Sequence, residues 1–271
     1  MNIFEKLLYF LQGEMEEPKP WGYYHILWIG IVIIALVFLY TKRNKYSEKQ
    51  LKTVLGIYGI VALILEVLKQ LIWAFNYDKV TGIVTWEYSW YSAPFQLCTM
   101  PIYVSLIALF LKKGKVRDSL LSFMAYTTIL GSIATILIPG QVFTKDILVN
   151  IHTMYLHFGS FIVSIYLLMN KEVEIKFKSL LSGLGVFLIF ACIANTMNII
   201  VYNSGILGDH TFNMFYISPY FTSELPVFST IQEMVPYPVF LFSYILGISL
   251  GSLLIYGISK LIYKIICRKD K

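Results

Sequence analysis

Long apolar stretches occupy most of this chain, and they restrict it to one class of fold. Of its 271 residues, 57% are hydrophobic and only 14% are charged, whereas soluble domains carry about 25% charged residues. A run of about 20 apolar residues forms a helix long enough to cross the ~30 Å hydrocarbon core of a bilayer. Several such runs follow one another here, so the sequence predicts an all-α, multi-pass protein of the cell membrane.

The spacing of these runs predicts a bundle of seven transmembrane helices. The expected spans are 22–41, 52–76, 94–111, 118–138, 147–169, 178–202 and 237–263. Residues 1–20 are expected to form an interfacial segment, because the amphipathic stretch 3–12 is too short to cross and favours the bilayer surface. Residues 21–271 would then form a single transmembrane domain, with an extracytoplasmic lid in the long loop 203–236.

The basic residues alternate between loops in a way that predicts the orientation. They follow the first, third, fifth and seventh spans, at Lys42, Arg43, Lys45, Lys49, Lys112, Lys113, Lys115, Arg117, Lys171, Lys176, Lys178, Lys260, Lys264, Arg268, Lys269 and Lys271. The intervening loops contain only Lys79 and Lys145. Because cytoplasmic loops are enriched in Lys and Arg, we expect the N-terminus outside and the C-terminus inside. The net charge of +6 has the same origin, so no nucleic-acid partner is expected.

Several polar residues fall inside the predicted spans, toward the outer side. Glu66, Lys69 and Gln70 have spacings of three and four and therefore share one face of span two. An ionisable side chain at this depth needs a partner or water. Two interpretations stay open: a structural carboxylate paired with Lys69, or an outward-facing polar site. The other candidate binding residues are His25, Gln96, Asn195 and Asn213.

The stretch 92–101 brings a glutamine, a cysteine and two prolines to the start of span three. A helix beginning only at Pro101 would be about 16 Å long, too short to cross. The sequence therefore predicts a helix from near Pro94, kinked where Pro101 interrupts its interior. Cys98 would lie in the disturbed turn, either as a small buried hydrophobe or as a reactive thiol. His152 and His157 of span five are the candidate bases for that thiol.

Other site chemistries have little support in the sequence. The spacing of Cys and His residues does not indicate zinc, and there is no Gly-rich nucleotide loop. We therefore expect neither a metal nor a cofactor. The three cysteines, Cys98, Cys192 and Cys267, are far apart and odd in number, which argues against a disulfide framework.

Four landmarks resemble those of the YwaF-type bacterial integral membrane proteins. They are Trp21-Gly-Tyr-Tyr-His25, Pro94-Phe-Gln96-Leu-Cys98, Leu156-His157-Phe-Gly159, and Asn213-Met-Phe-Tyr216 followed by Pro236-Tyr-Pro238. The chain departs from the family pattern at Gln96, where a histidine is usual, and at Phe158, which separates His157 from Gly159. This family resembles, distantly, the eukaryotic transmembrane acyltransferases that move acyl chains between phospholipids through a Cys and a His. The resemblance implies a seven-helix bundle with a lipid-accessible nucleophile and base.

Two functional hypotheses follow. In the first, the protein is a lipid acyltransferase or lipid hydrolase that acts on membrane phospholipids, with Cys98 as nucleophile and His157 or His152 as base. Gln96 or Asn213 would donate a hydrogen bond to the oxyanion or the head group. In the second, it is a non-enzymatic protein that binds or transports a polar solute in an outward-facing pocket around Glu66 and Lys69.

Overall fold

The computed structural model describes residues 1–42 and 47–269, without the side chains of residues 141 and 266–269, and the described chain is mostly helical. Its helices are α1 (Ile3–Leu11), α2 (Tyr23–Lys42), α3 (Glu48–Ala74), α4 (Met100–Phe110), α5 (Lys115–Phe123), α6 (Ile129–Leu137), α7 (Ile147–Met169), α8 (Phe177–Asn203), α9 (Pro226–Met234) and α10 (Tyr237–Lys269). Of the basic positions used to predict the orientation, Arg43, Lys45 and Lys271 lie outside the described residues.

Six helical segments of the described chain are long and apolar enough to cross a membrane. They are Tyr23–Lys42, Glu48–Ala74, Lys115–Leu137, Ile147–Met169, Phe177–Asn203 and Tyr237–Ile265. They match the predicted spans one, two, four, five, six and seven to within a few residues. The prediction of a multi-pass helical membrane protein is therefore confirmed, while the count of seven and the orientation stay predictions.

The observed third helix is shorter than the predicted third span, and the position of Pro101 explains the difference. The helix begins at Met100, not near Pro94, so Pro101 lies in its first turn and does not kink a helix interior. A first-turn proline is well tolerated because the amide it lacks would have no partner within the helix. The resulting α4 has 11 residues and is about 16 Å long. The prediction of a continuous helix from Pro94 was wrong.

α3 is held in place by close contacts with neighbouring helices. α3 packs against α4 on one side and α7 on the other, and α5 packs against α8. Gly183 of α8 lies so close to α5 that an added Cβ would stand 2.8 Å from the carbonyl carbon of Ser122. By contrast, α2 contacts mainly α7, and Ile34 on its outer face is 71% exposed. That outer face is suited to contact lipid.

The C-terminal end of α3 is closed by other parts of the chain. The amide of Gln12, at the end of α1, donates to the carbonyl oxygens of Ile72 at 2.7 Å and Phe75 at 2.6 Å. A short antiparallel hairpin follows α3, made of β1 (Phe75–Tyr77) and β2 (Val84–Trp86). From this hairpin the chain returns to the bundle through a 3₁₀ turn (Trp90–Ser92) and an irregular stretch of residues 93–99, which we call the Cys98 turn.

A π-helical turn, Met124–Thr128, joins α5 to α6 in the middle of the predicted fourth span. Hydroxyl groups supply the hydrogen bonds there: Ser164 Oγ donates to the carbonyl of Met124 at 2.9 Å, and Thr128 Oγ1 donates to the same oxygen at 3.0 Å. In lipid surroundings every backbone polar group needs such a partner. The long loop 203–236 carries α9 and folds back onto the bundle through a buried stretch, Phe212–Phe215.

Candidate functional site

A buried group of charged side chains lies between α3 and α7. Glu66 is only 2% exposed, and its carboxylate contacts the ammonium of Lys69 at 2.8 Å and Nε2 of His152 at 2.8 Å. Gln70 Nε2 donates to the same carboxylate, at 2.8 Å. A charge in the interior of a membrane protein is tolerated when it is paired in this way. The structure therefore brings together four of the predicted site residues, which we call the Glu66 cluster.

His152 is the member of this cluster that comes from α7. It is 4% exposed, and its Nε2 reaches salt-bridge distance of Glu66 without the angles of a hydrogen bond. Its Nδ1 is buried and has no hydrogen-bond partner in the part of the chain that the structure describes. Buried polar atoms are seldom left unpaired. An unpaired imidazole nitrogen beside a carboxylate is suited to accept or donate a proton.

Gln70 connects the Glu66 cluster to the segment that carries Cys98. Besides bonding Glu66, its Nε2 donates to the carbonyl oxygen of Ser92 at 2.6 Å, and the Ser92 hydroxyl donates to Gln70 Oε1 at 3.3 Å. The Cys98 turn begins at the next residue. The residue that precedes the turn is thus attached to the charged face of α3.

Cys98 itself occupies the last irregular turn before α4. It is half-buried and packs against the hydrophobic core of the bundle. Side chains hold the turn in place, because Thr99 Oγ1 donates to the carbonyl of Gln96 at 2.8 Å and the hydroxyl of Tyr103 donates to that of Pro94 at 2.7 Å. Among the residues that the structure describes, no histidine nitrogen forms a hydrogen bond with the Cys98 sulfur.

The loop 203–236 is fastened to the Cys98 turn by amide side chains. Gln96 Nε2 donates to the carbonyl oxygen of Asn213 at 2.9 Å. Asn198 of α8 pairs with the backbone of Met214 in both directions, at 2.7 and 3.0 Å. Asn213 in turn accepts from the amide of Ser218 at 2.8 Å and donates to the carbonyl of Thr222 at 3.0 Å. Of the two amides proposed from sequence as oxyanion donors, Gln96 therefore joins the Cys98 turn to the loop, and Asn213 bonds backbone groups within the loop.

The loop makes an unusual turn where it meets Cys98. Phe215 and Tyr216 are consecutive non-glycine residues with φ of 56° each. Bulky residues in this left-handed region cost about 1–3 kcal/mol each and persist where the surroundings enforce them. Phe215 is fully buried, with its ring 6.0 Å from that of Phe95 in the Cys98 turn. The strained turn is therefore held directly against the cysteine segment.

Two further contacts join the loop to the chain after the hairpin. The Tyr91 hydroxyl donates to the Glu224 carboxylate at 2.8 Å, and His210 Nε2 lies 3.0 Å from a carboxylate oxygen of Glu87. Burial, and after it the bond to Glu224, raises the pKa of Tyr91 to about 12. Tyr91 therefore keeps its proton at neutral pH and acts as a donor.

Three predicted site residues lie apart from the Glu66 cluster and the Cys98 turn. His157 points toward α6, where its Nδ1 lies 3.2 Å from the hydroxyl of Thr135. His25 Nδ1 accepts from the amide of Trp21 at 3.1 Å, within an aromatic group that includes Phe143 and Phe158. Asn195 accepts from the hydroxyl of Tyr237 at 2.6 Å, at the junction of α8 and α10.

Sequence reasoning did not propose Tyr91 or Tyr216 as site residues, although Tyr216 ends one of the four landmarks. The chain contains 20 tyrosines, many of them at positions typical of an interfacial aromatic belt. Only the backbone strain at Tyr216 and the long-range bond from Tyr91 to Glu224 separate these two from the rest. In the described chain, no group of three or more His, Cys, Asp and Glu side chains could hold a metal ion.

Comparison with known proteins gives one match. A family model described as the TMEM164 family matches residues 20–256, which include every residue of the Glu66 cluster, the Cys98 turn and the loop above it. No curated protein and no solved structure matches the chain. The YwaF-type resemblance and the relationship to acyltransferases stay predictions.

Proposed function

We propose that this chain, which belongs to the TMEM164 family, transfers or hydrolyses acyl groups of membrane lipids through Cys98. The observation that carries the proposal is the position of the thiol. Cys98 lies in an irregular turn at the start of a half-length helix, and Gln70 joins the residue before that turn to the buried Glu66. Irregular backbone inside a membrane bundle is costly unless protein covers it, and here it presents a nucleophile beside a charged cluster.

The proposed reaction proceeds in two balanced steps. The Cys98 thiol gives its proton to a base, and its sulfur attacks the ester carbonyl of a phospholipid. The ester C–O bond breaks, the leaving lysophospholipid oxygen takes up the proton, and the acyl group remains on sulfur as a thioester. The hydroxyl of a second lysophospholipid, or water, then attacks the thioester and restores the thiol. Such a covalent intermediate divides one difficult step into two easier ones.

His152 is the histidine best placed to act as the base. It lies in the Glu66 cluster, its Nδ1 has no partner, and Glu66 contacts its other nitrogen at 2.8 Å. A carboxylate on one imidazole nitrogen orients the ring and stabilises its protonated form. His157 is instead bonded to Thr135 on another helix. Among the described residues, no histidine bonds Cys98. Attack therefore requires the Cys98 turn to approach His152 when lipid binds, since catalytic hydrogen bonds often tighten only in the complex with substrate.

The depth of Cys98 supports a lipid substrate. α4 runs for about 16 Å from the Cys98 turn to the basic loop at Lys112, so in the predicted orientation the thiol would lie inside the ~30 Å core, in the outer half of the bundle. Small polar substrates rarely reach that depth without an aqueous path, whereas an acyl chain occupies it. In the predicted orientation, the site would draw lipid from the outer leaflet.

The test uses the purified protein in phospholipid nanodiscs with a fluorescent acyl phospholipid and a lysophospholipid acceptor. We expect Cys98→Ala to abolish acyl transfer and the hydroxylamine-sensitive thioester on the protein. Cys192→Ala is the matched control, because Cys192 is exposed on α8 and should leave both signals intact. His152→Ala should reduce transfer more than His157→Ala. Undiminished transfer and thioester formation in Cys98→Ala would exclude the proposal.

A second candidate function is supported by the charged cluster alone. Glu66, Lys69 and His152 are buried together, and intramembrane ionisable groups commonly mark pathways for polar solutes or protons. If the protein binds such a solute, Glu66→Gln should remove the thermal stabilisation that a panel of polar solutes produces, and Cys98→Ala should retain it. Acyl transfer that depends on Cys98, without any stabilisation by polar solutes, would exclude this second function.

A further inference from the structure

A basic cleft lies at the end of α4 opposite the Cys98 turn, where the chain enters α5. It has a volume of about 470 Å³, and we call it the α5 cleft. It is lined by Leu111, Lys112, Gly114, Lys115, Val116 and Arg117. Because the whole length of α4, about 16 Å, separates the cleft from Cys98, the cleft belongs to neither half of the site described above. Its residues have no part in the acyl transfer.

The first residues of α5 line this cleft, and no side chain caps the helix there. Gly114 occupies the position before the helix, where a serine or aspartate would bond the free amides. The carbonyl of Gly114 accepts from the amide of Asp118 at 2.9 Å. The amides of Lys115, Val116 and Arg117 come before that bond and have no hydrogen-bond partner among the described residues. Free amides at the positive end of a helix dipole bind anions.

A second hydrogen-bond donor at the same place is buried and unpaired. The Arg117 side chain is 1% exposed, and its two terminal nitrogens donate to the carboxylate of Glu48. Its Nε is also buried, and no group in the described part of the chain accepts a hydrogen bond from it. Proteins seldom leave a buried donor unsatisfied, and the cost is highest for charged groups. Since Arg117 lines the cleft, an oxygen atom bound there can accept that bond.

The α5 cleft has an excess of positive charge. Its exposed lysines are Lys112, Lys113 and Lys115. None of the three forms a salt bridge with a described residue. The carboxylates in this region are Glu48, which is paired with Arg117, and Asp118 in the first turn of α5. A phosphate group, with several oxygen atoms and a negative charge, can bond the free amides and lie among the ammonium groups.

The surroundings of the cleft favour a phosphate that carries acyl chains. Ile107 and Phe110 are three residues apart and share one face of α4, where they are 47% and 82% exposed. This apolar face leads along the helix to Lys112. In the predicted orientation the cleft lies at the cytoplasmic surface, where anionic lipids attract basic clusters. We propose that the α5 cleft binds the phosphate of an anionic phospholipid, whose acyl chains lie along Ile107 and Phe110.

The test uses the full-length protein in maltoside micelles, with dioctanoyl phosphatidylglycerol as the ligand. It should raise the thermal unfolding midpoint in a saturable way, since a ligand that binds only the folded protein stabilises it. Dioctanoyl phosphatidylcholine has the same chains and no net charge, and should bind at least about 10-fold more weakly. Inorganic phosphate at the same concentration should have no effect. Equal stabilisation by phosphatidylcholine or by inorganic phosphate would overturn the assignment to an anionic lipid.

The lysines of the cleft are tested together. The variant Lys112→Gln/Lys113→Gln/Lys115→Gln should weaken the apparent Kd for phosphatidylglycerol by about 100-fold, the combined effect of three lost electrostatic contacts. An unchanged Kd in this variant would contradict the proposal.

The control for charge is Lys171→Gln/Lys176→Gln/Lys178→Gln. It removes the same number of exposed lysines from around the connection between α7 and α8, on the same predicted side of the membrane, and should retain the wild-type Kd. Equal losses of affinity in the two triple variants would mean that phosphatidylglycerol responds to overall charge, and the proposed site would fall.

Gly114→Asp tests the free amides separately. A Cβ at this position would meet no atom closer than 3.9 Å, so an aspartate fits there and can cap the helix itself. We expect a higher unfolding midpoint without lipid and no further rise with phosphatidylglycerol, since the carboxylate takes the place of the phosphate. Gly114→Ala leaves the amides free and should retain the response. A wild-type response in Gly114→Asp, or a lost response in Gly114→Ala, would exclude the start of α5 as the phosphate site.

Discussion

Two halves of the candidate site are built in opposite ways. The Glu66 cluster lies on two uninterrupted helices, α3 and α7, and its charges compensate one another across a single interface. The Cys98 turn and the loop 203–236 are irregular, the loop is strained at two residues, and the side-chain amide of Gln96 joins the turn to the loop. In the Glu66 cluster, two regular helices hold the charged side chains in place. In the Cys98 turn and the loop, side-chain hydrogen bonds hold the irregular backbone in place.

Because of this difference, the two halves are destabilised by different kinds of substitution. A helix supplies its own backbone hydrogen bonds, so the Glu66 cluster depends only on the balance of charge among its side chains. The irregular half has to find a partner for each buried amide and carbonyl, so it depends on Asn198, Asn213 and Gln96. The half that must change shape during the proposed reaction is the irregular one. The site therefore consists of a fixed charged part, the Glu66 cluster, and a nucleophile, Cys98, that can change its position.

The largest loss of stability is expected when one charge of the Glu66 cluster is removed. Glu66→Leu leaves Lys69 buried without its counter-charge, at 8% exposure, and loss of one partner of a buried pair costs about 3–5 kcal/mol. We expect a drop of that size in the free energy of unfolding, measured in mixed detergent micelles.

The double variant Glu66→Leu/Lys69→Met separates charge from packing. Replacing both ions by apolar side chains of similar size is often neutral, so most of the lost stability should return. A double variant as unstable as Glu66→Leu alone would show that the cluster stabilises the fold by its shape and not by its charge balance.

A smaller effect is expected from the irregular half. Asn198→Ala removes the acceptor of the buried Met214 amide, and an unsatisfied buried group costs about 1–3 kcal/mol. The Met214 carbonyl keeps its bond from the amide of Ile217. The loss should be local. We expect amide hydrogen exchange of residues 211–218 to accelerate by at least about 10-fold, while exchange in α3 and α7 stays at the wild-type rate.

Thr196→Ala is the control for this variant. Thr196 lies two residues away on α8, is exposed, and bonds only the carbonyl of Cys192 within its own helix. It should leave exchange in the loop unchanged. Equal acceleration in α3 and in the loop after Asn198→Ala would contradict the division into two halves.

The same division explains what the sequence could predict. Apolar periodicity and length gave α7 at its observed bounds, Ile147–Met169, because a helix is determined by its own residues. The spacing of Glu66, Lys69 and Gln70 predicted a shared face, and the structure shows those three side chains joined. The choice between His152 and His157 could not be made, since they lie on different faces of α7 and only the packing partners distinguish them.

The irregular half could not be derived for a related reason. Its geometry depends on bonds that cross 117 residues from Gln96 to Asn213 and 16 residues from Asn198 to Met214. Rules based on neighbouring residues recognise only that a proline and a polar residue interrupt the apolar run before α4. The requirement that every span be a full-length helix then favoured a start at Pro94, which the structure contradicts.

The smallest change in stability is expected from Pro101→Ala. This variant tests whether Pro101 is the reason that α4 begins at Met100 and not near Pro94. If Pro101 interrupted a helix interior, Pro101→Ala would restore a lost hydrogen bond and stabilise the protein by about 3 kcal/mol. In the first turn of α4 it interrupts nothing, and replacing it mainly frees the unfolded chain, which costs about 0.4–1 kcal/mol. We therefore expect a slight loss of stability, with hydrogen exchange of Leu97 and Cys98 at the wild-type rate. Stabilisation, together with new protection of those two amides, would mean that the proline alone keeps the Cys98 turn from joining α4. The expected result would instead assign that task to Gln96, Thr99 and Tyr103, whose side chains bond the carbonyls of Asn213, Gln96 and Pro94.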